Sequence, residues 1–425
     1  MKTIVTLCFS LFSSFALAQL TYLHCGEVFD AEKAKFVGPH TIVVEGNRIR
    51  SVEKGYQQPE QANVKVMDLK SKTVYPGFID MHVHIEGEYS PDRYLKVFQN
   101  NPEDTAFEAA EIANRTLMAG FTTVRDMGGT GVNIALRNAI NKGKVPGPRI
   151  YTAGKAIGTT GGHADPTNGF KNTLQGDPGP KEGVINSVED AKKAIRQRYK
   201  NGADWIKITA TGGVLSVAKS GQNPQFTNEE IAAITQTATD YGFKVAAHAH
   251  GDEGMYRAVA NGVKTIEHGT LIEKRTMELM KAKNAYLVAT ISAGKFVAEQ
   301  AKMPGSYPAI IVPKAIAIGA QIQDTFKKAY EFGVPLAFGT DAGVYPHGDN
   351  AKEFIYMNEA GMPIREALHM ATFVNADLLD EADQLGQLKA GYWADIIASD
   401  ENPEENISTL TQLSFVMKNG TVYKQ

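Results

Sequence analysis

The stretch GFIDMHVHIEG, residues 77–87, places His82 and His84 in an otherwise apolar segment that is typical of a buried strand. Side chains of a strand alternate between its two faces, so residues two apart point to the same side. Both imidazoles are therefore expected to face one point inside the fold. Imidazole is a common metal ligand, and such a pair can chelate one ion. The pair alone is a weak signal, so its surroundings decide the interpretation.

Around this stretch the sequence alternates between strand and helix patterns. Asn101-Pro102 begins one helical segment, and Thr227 with Glu230 forms a capping box at the start of another. Eight strand candidates, most of them separated by helical segments, span about 300 residues. This predicts an α/β protein with a (β/α)8 TIM-like barrel over residues 76–380. A doubly wound open sheet is the alternative, but the sequence has no G-x-G-x-x-G after its first strand and no Walker loop.

Residues 19–75 and 381–425, on either side of the predicted barrel, have a different pattern that is rich in short β segments. Glu45-Gly46-Asn47 and Asn419-Gly420 are hairpin signals between alternating apolar residues. Residues 19–75 and 381–425 are therefore predicted to form one small β-sandwich domain. Two unrelated caps on the barrel are the alternative.

Residues 1–18 have the features of a signal peptide. Lys2 precedes an apolar run over residues 4–15, and Ala16-Leu17-Ala18 is a small-residue cleavage site. The run is too short to span a membrane. Cleavage after Ala18 predicts a secreted or periplasmic protein, whereas a buried first strand or an uncleaved anchor is the alternative.

Composition limits the classes of partner. The formal net charge is −3, and no basic run stands out, so neither nucleic acid nor a membrane is expected to bind. Of the two cysteines, Cys8 lies in the signal peptide, which leaves Cys25 alone. An internal disulfide and a thiolate metal cluster are both excluded for the mature chain. A small-molecule substrate is expected, and a homo-oligomer is left open.

Seven of the ten histidines fall at or just after the predicted C-terminal ends of strands. In a barrel these ends form one face, where active sites are built. Asp341, in the segment FGTDAG at the last strand, adds a negative charge that would balance a divalent cation. The seven are His82, His84, His163, His248, His250, His268 and His347.

The segments GFIDMHVH, AAHAHG, TIEHG and FGTDAG, in this order, resemble the amidohydrolase superfamily. The chain is most similar to its imidazolonepropionase-related branch, which includes secreted Xaa-Pro and Xaa-Arg metallo-dipeptidases. TGGHADP and KITATGG favour that branch. The resemblance implies a metal-dependent hydrolase that acts on C–N bonds.

The resemblance also implies two divalent metal ions, with zinc expected from the nitrogen and oxygen ligands. His82, His84 and Asp341 would hold the first ion. His248 and His268 would hold the second.

Lys207, in DWIKIT, matches the lysine that family members carboxylate with CO₂, and it would bridge the two ions. A lysine that is desolvated in a barrel loses its proton more easily, and the neutral amine can add CO₂. An ordinary salt-bridged lysine is the alternative. His250 shares a strand face with His248 and competes with it as a ligand.

The expected reaction is cleavage of an amide bond in a dipeptide or N-acyl amino acid by metal-activated hydroxide. Asp341 would pass the proton of the water to the leaving amine. His163, on a Gly-rich loop, is expected to contact substrate and stabilise the oxyanion. Tyr345 and His347 are further candidates for substrate contacts. The alternatives are another amide or lactam, an ochratoxin-like amide, or a binding protein that has lost catalysis.

Arg125 and Asp126 end the second predicted strand. A buried ion pair between them, bracing the barrel, is expected.

Overall fold

The computed structural model describes residues 20–60, 64–217 and 219–425. The predicted signal peptide, residues 1–18, lies outside the described residues. The strands are β1 (Leu20–Asp30), β2 (Lys35–Val37), β3 (His40–Glu45), β4 (Arg48–Lys54), β5 (Lys65–Pro76), β6 (Phe78–Val83), β7 (Phe121–Asp126), β8 (Arg149–Thr152), β9 (Ile206–Thr209), β10 (Val245–Gly251), β11 (Thr265–Leu271), β12 (Tyr286–Val288), β13 (Ile396–Ser399), β14 (Phe415–Lys418) and β15 (Thr421–Lys424).

Most of the helices lie between the strands of the central region. They are α1 (Arg93–Gln99), α2 (Pro102–Met118), α3 (Val132–Asn141), α4 (Asn172–Gln175), α5 (Val188–Asn201), α6 (Asn228–Asp240), α7 (Asp252–Ala260), α8 (Lys274–Lys283), α9 (Ile291–Gln300), α10 (Val312–Gly319), α11 (Ile322–Phe332), α12 (Lys352–Glu359), α13 (Ile364–His369) and α14 (Asn375–Leu378). A π-helical turn, Met370–Val374, joins α13 to α14, and a 3-10 helix covers Ile407–Thr411. No helix in the described part of the chain is long and apolar enough to cross a membrane.

The strands of the two chain ends form one eight-stranded sheet in the order β15-β14-β13-β5-β1-β3-β4, with β2 paired to β1. Strand β5 joins the two ends because it pairs parallel to β1 along one edge and antiparallel to β13 along the other. The pairing is therefore continuous, whereas the predicted sandwich would consist of two separately paired sheets. Apolar side chains of this sheet, including Leu23, Ile42 and Phe415, form a core of their own.

The two predicted hairpin turns are present in this sheet. Gly46 has a φ of 59° between β3 and β4. Between β14 and β15, Asn419 has a φ of 49° and Gly420 a φ of 73°. Two successive positive φ values characterise the type I′ turn, which matches the twist of a hairpin.

The central region contains two parallel sheets, β6-β7-β8 and β9-β10-β11-β12. Isolated bridges extend the pairing beyond them. Ile157 pairs with Ile208 of β9, and the segment 335–342 contacts β12 through Leu336 and β6 through Ala342. Among the described residues the strand ladders themselves do not join into one closed sheet.

A layer of aromatic rings packs at the N-terminal ends of the first two parallel strands. Phe78 of β6 lies with its ring centroid 5.7 Å from that of Phe121 of β7 and 5.0 Å from that of Phe354 of α12. Phe338 completes the layer, 4.4 Å from Phe354. All four are buried. The apolar layer therefore fills one end of the parallel strands, which leaves the polar side chains for the opposite, C-terminal end.

Helix α6 begins as the sequence predicts. The Thr227 hydroxyl accepts a hydrogen bond from the backbone N–H of Glu230 at 3.2 Å, and the Glu230 carboxylate accepts one from the backbone N–H of Thr227 at 2.9 Å. This reciprocal cap satisfies two backbone donors that a helix start otherwise leaves unpaired.

Candidate metal centre

The predicted ligands come together at the C-terminal ends of the parallel strands. One donor atom each of His82, His268 and Asp341 lies within 4.8 Å of the other two, and all three residues are buried. His84 directly follows β6, and its Nε2 is 3.3 Å from Asp341 Oδ1. Residues from β6, β11 and the segment 335–342 thus meet around one small volume.

A buried carboxylate fixes the orientation of His82. Glu267 Oε2 lies 2.7 Å from His82 Nδ1, and Glu267 Oε1 accepts a hydrogen bond of 2.8 Å from Arg125 Nη2. Because an ionised carboxylate can only accept, His82 Nδ1 carries the proton. His82 Nε2 is left for a metal, 3.4 Å from Asp341 Oδ1. A carboxylate behind a ligating histidine is a common support in metal sites.

Glu267 was missed in the sequence. It directly precedes His268 in TIEHG, and neighbouring residues of a strand point to opposite faces. The available signal was a carboxylate in the middle of the predicted strand VKTIEHG. Buried carboxylates are rare unless they are paired.

The predicted ion pair of Arg125 with Asp126 is wrong, because Arg125 pairs with Glu267 instead. Neighbouring residues of a strand point to opposite faces, so one cation and the next carboxylate do not meet. Asp126 accepts hydrogen bonds of 2.8 Å from the backbone N–H of Ile85 and from Asn133 Nδ2. It holds the end of β6 against the loop after β7.

His84 is oriented by a backbone carbonyl. Its Nδ1 lies 2.8 Å from the oxygen of Gly128, in the loop after β7. The Glu86 carboxylate holds this loop, since it accepts backbone hydrogen bonds of 2.6 Å from both Thr130 and Asn133. The proton of His84 is thereby directed to Nδ1, and Nε2 faces Asp341.

Three histidine rings form a second cluster on β10 and β11. The ring centroids of His248 lie 4.7 Å from those of both His250 and His268. His268 Nδ1 contacts Thr290 Oγ1 at 2.7 Å, so its Nε2 remains for a metal. His248 Nε2 contacts the Gly212 oxygen at 3.1 Å, so its Nδ1 remains for a metal. His250 Nδ1 contacts a threonine hydroxyl at 2.9 Å. The competition between His248 and His250 therefore persists in the structure.

Lys207 lies directly beside the first cluster. Its Nζ is 3.5 Å from His82 Nε2, and the residue is 4% exposed. Within the described ranges no carboxylate lies at ion-pair distance from it, so the salt-bridged alternative has no partner there. Burial lowers the pKa of Lys207 to about 8, which raises the share of neutral amine at physiological pH.

The electrostatics of the site suit a cation. Burial, with the charge of Lys207, lowers the pKa of His82 to about 4, and burial lowers the pKa values of His248 and His268 well below the usual range. These three imidazoles are therefore neutral, as metal ligation requires. Burial alone would raise the pKa of Asp341, but the adjacent His82 and His84 outweigh it and lower that pKa, which keeps the carboxylate ionised.

The donor set fits a divalent metal ion. Asp341 Oδ1 is buried and has no hydrogen-bond partner among the described residues, although it faces two imidazole nitrogens. A buried, charged oxygen without a hydrogen bond needs an explanation, and a bound ion is one. Nitrogen and carboxylate ligands of this kind are those that zinc prefers.

Backbone strain is concentrated at the same place. His268, Thr290 and Asp341 have φ values of 71°, 53° and 59°, in the left-handed region that non-glycine residues rarely adopt. Each such residue costs about 1–3 kcal/mol and persists where the surroundings hold it, often at functional sites. His268 lies within β11, Thr290 follows the end of β12 by two residues, and Asp341 lies in the segment 335–342.

A cavity of about 380 Å³ opens above the metal ligands. The His163 ring lines it and stacks on His248 with centroids 4.3 Å apart. Gly213 permits this contact, because a Cβ there would lie within 2.1–2.5 Å of atoms of the His163 ring. His163 is thus placed where the prediction needs it. The apolar wall of the cavity consists of Val214, Leu215, Val297, Ala315, Ile318 and Ile322.

Tyr345 and His347 lie outside the lining of this cavity. The His347 ring contacts the Thr116 hydroxyl at 3.0 Å and the His84 backbone oxygen at 3.1 Å, so it braces the end of β6 from behind. Tyr345 is 3% exposed and packs against Phe296 of α9. Their position does not support the predicted contacts with substrate, because Val344 is the last residue of this segment that lines the cavity.

A parallel α/β fold that gathers histidines and an aspartate at its strand ends is an arrangement that metal-dependent hydrolases use. Residues 73–424 match the amidohydrolase family, and the chain belongs to this family. The prediction from the sequence is thereby confirmed: the protein is a hydrolase that acts on C–N bonds. The family fold implies a TIM-type barrel with a second domain, and its members generally use divalent metals.

Three relatives illustrate the range of the family. A solved structure of a Xaa-Pro dipeptidase with methionine bound in its active site is 49% identical, with a TM-score of 0.92 over 96% of this chain and 100% of that one. A prolidase complexed with N-methylphosphonate-L-proline is 31% identical, with a TM-score of 0.86 over 96% and 100%. The ochratoxinase of Aspergillus niger is 33% identical over 82% of this chain and 75% of its own length.

Proposed function

We propose that this chain is a binuclear metallo-dipeptidase that hydrolyses the amide bond before the C-terminal residue of a dipeptide or N-acyl amino acid. One observation carries the proposal: buried donor atoms of His82, His268 and Asp341 lie within 4.8 Å of one another beneath an open cavity. The similarity to a Xaa-Pro dipeptidase and to a prolidase favours Xaa-Pro dipeptides as the first substrates to test.

His82, His84 and Asp341 would hold the first ion, and His248 and His268 the second, with zinc as the expected metal. When bound, the two ions would lower the pKa of water and polarise the amide carbonyl.

Lys207 would bridge the ions as a carbamate formed with CO₂. Its buried amine, 3.5 Å from His82 Nε2 and without a carboxylate at ion-pair distance in the described chain, supports this role.

The side chains of the site supply proton transfer and charge stabilisation. Asp341 is ionised, and its Oδ1 has no hydrogen-bond partner among the described residues. It accepts the proton of the attacking water and delivers it to the leaving nitrogen. The His163 imidazole is neutral because burial lowers its pKa to about 3. It donates an N–H hydrogen bond to the oxygen of the reacting carbonyl as negative charge develops there.

An ochratoxin-like amide is a second candidate substrate. The ochratoxinase similarity extends over 82% of this chain, and the apolar wall of the cavity would accommodate an aromatic acyl group. Hydrolysis of an aromatic N-acyl amino acid at a rate comparable to that of Xaa-Pro dipeptides would favour this candidate.

We further propose the arrangement of the whole chain. Residues 76–380 would form the eight-stranded barrel, since isolated bridges connect both parallel sheets with the segment 335–342. Residues 19–75 and 381–425 would form the small domain, since their strands share one sheet. Removal of residues 1–18 would place the mature protein in the periplasm or outside the cell.

The direct test is hydrolysis of a dipeptide panel by zinc-loaded protein, with the C-terminal residue varied. We expect Asp341→Asn to lower kcat about 10²–10⁴-fold, because it removes the proton carrier. Asp349→Asn, three residues before α12 and paired with Lys352, is the control and should leave the rate unchanged. Absence of hydrolysis by the zinc-loaded wild type across dipeptides and N-acyl amino acids would overturn the proposal.

A further inference from the structure

Helix α9 starts without the cap that its sequence offers. Thr290 is the N-cap residue, and a threonine there usually accepts a hydrogen bond from an amide of the first turn. The Thr290 side chain makes no such bond. Its hydroxyl instead lies 2.7 Å from His268 Nδ1. The helix start therefore needs another acceptor.

Glu353 of helix α12, which is 62 residues from Ile291 in sequence, supplies this acceptor. Its Oε1 accepts a hydrogen bond of 2.8 Å from the backbone N–H of Ile291, and its Oε2 one of 2.7 Å from that of Ser292. These are two of the donors that a helix start leaves unpaired. Glu353 is fully buried, and burial raises its pKa to about 8. Burying a carboxyl group is costly unless it is hydrogen-bonded, and the two backbone N–H groups supply those hydrogen bonds.

The same helix has a second contact with the site. Ala293, Gly294 and Val297, in its first two turns, line the cavity above the metal ligands. Thr290 itself has a strained φ of 53°, and the two hydrogen bonds to Glu353 begin at the next residue. The carboxyl group thus holds both the strained residue and the start of the cavity wall.

We infer that Glu353 is a positioning residue that caps α9 in place of Thr290, which frees the Thr290 hydroxyl to orient His268 and fixes the helix that walls the substrate cavity. The inference rests on the proposed role of His268 as a metal ligand. Glu353 links that ligand to the wall that contacts substrate.

The test uses Glu353→Gln, because an amide can accept only one of the two backbone hydrogen bonds. Zinc affinity, measured by competition with a chelator, should fall about tenfold, as for other residues that support a ligand. The ratio of kcat/KM between dipeptides with large and small apolar residues should also change, since the α9 wall shifts. Glu359→Gln, also on α12 and paired with Lys295 of α9 at the surface, is the control and should change neither quantity.

A second variant and a second readout separate the possible outcomes. Thr290→Val removes the hydroxyl but keeps the shape, so it should weaken zinc binding without changing substrate selectivity. In metal-free protein, ¹⁵N NMR should show His268 protonated at Nδ1 in the wild type and as a mixture of tautomers in both variants.

The inference would be overturned if folded Glu353→Gln had the zinc affinity, substrate selectivity and His268 tautomer of the wild type. An unchanged His268 tautomer in Thr290→Val would also overturn it. Failure of the wild type to bind zinc or hydrolyse any substrate would instead overturn the proposed function, while the tautomer measurement would still decide the role of Glu353.

Discussion

Glu267 Oε2 lies 2.7 Å from His82 Nδ1, and both residues are fully buried. Burial alone would raise the pKa of Glu267, but the charge of Arg125 and the hydrogen bond from His82 outweigh it and lower that pKa to about 2. The carboxylate is therefore ionised and accepts the Nδ1 proton. This relationship sets the tautomer of His82 and directs Nε2 to the point where Asp341 and Lys207 also converge.

Replacement of Glu267 by glutamine should weaken metal binding. The amide presents an N–H₂ group either to His82 or to Arg125, so one of the two contacts turns from attraction to a clash of donors. We expect zinc affinity and kcat/KM to fall about 10–100-fold. Competition with a chelator and steady-state kinetics measure the two effects. Glu273→Gln, two residues after β11 and exposed, is the matched control, and an equal loss in both variants would argue against a specific role for Glu267.

Replacement of Glu267 by alanine should strongly destabilise the fold. Arg125 would remain as a buried cation without its carboxylate, and breaking a buried pair in this way costs about 3–5 kcal/mol. The free energy of unfolding of the metal-free protein in urea provides the measurement. The double variant Glu267→Leu with Arg125→Met should recover much of the loss, because no uncompensated charge remains. A loss below about 1 kcal/mol in the single variant would show that Arg125 is not held by this pair.

Lys207 should carry a carbamate in the metal-loaded protein. Growth or incubation with ¹³C-labelled bicarbonate should produce one carbamate signal by ¹³C NMR, and Lys207→Arg should abolish it, since a guanidinium remains protonated and does not add CO₂. The arginine variant should also lose most of its activity. Full activity of Lys207→Arg, or a labelled wild type without a carbamate signal, would contradict the bridging role.

The Cys25 thiol should be unreactive until the protein unfolds. Cys25 is fully buried on β1, and burial raises its pKa from its ordinary value near 9 to about 12. In mature protein, a thiol reagent at pH 8 should label no cysteine in the native state and one per chain in guanidinium. Rapid labelling of the native protein would contradict this placement.

The same shift predicts a dependence of stability on pH. Between pH 9 and 12 the unfolded chain binds fewer protons than the folded one, so the contribution of Cys25 to stability is present below pH 9 and is lost as pH rises through this window. Between pH 9 and 12, the free energy of unfolding of the wild type should therefore fall by up to about 1.4 kcal/mol more per pH unit than that of Cys25→Ala. An equal dependence of the free energy of unfolding on pH in the two proteins would contradict a raised pKa of Cys25.

Local patterns were sufficient for much of the fold. The two-residue spacing of His82 and His84 fixes their common face, because strand geometry has a period of two. The capping box at Thr227 and the Asn419-Gly420 turn depend on neighbours in sequence, and both are present in the structure. Such features need only local geometry, so a single sequence contains the information.

The supporting residues of the site depend on contacts between distant parts of the chain. Glu267 lies 185 residues from His82, and Glu353 lies 62 residues from Ile291. No spacing rule relates such pairs, and their side chains could equally have been surface carboxylates. Tyr345 and His347 show the converse. They follow Asp341 closely in sequence, yet Val344 is the last residue of this segment that lines the cavity.

Metal content tests most directly whether the buried ligands at the strand ends hold two metal ions. Plasma mass spectrometry of the mature protein, loaded with zinc and dialysed, should give two zinc per chain. The double variant His248→Ala with His268→Ala should retain one, and its hydrolysis of Xaa-Pro dipeptides should be lost. One zinc or fewer per chain in a wild type that still hydrolyses these dipeptides would contradict a site of two metal ions.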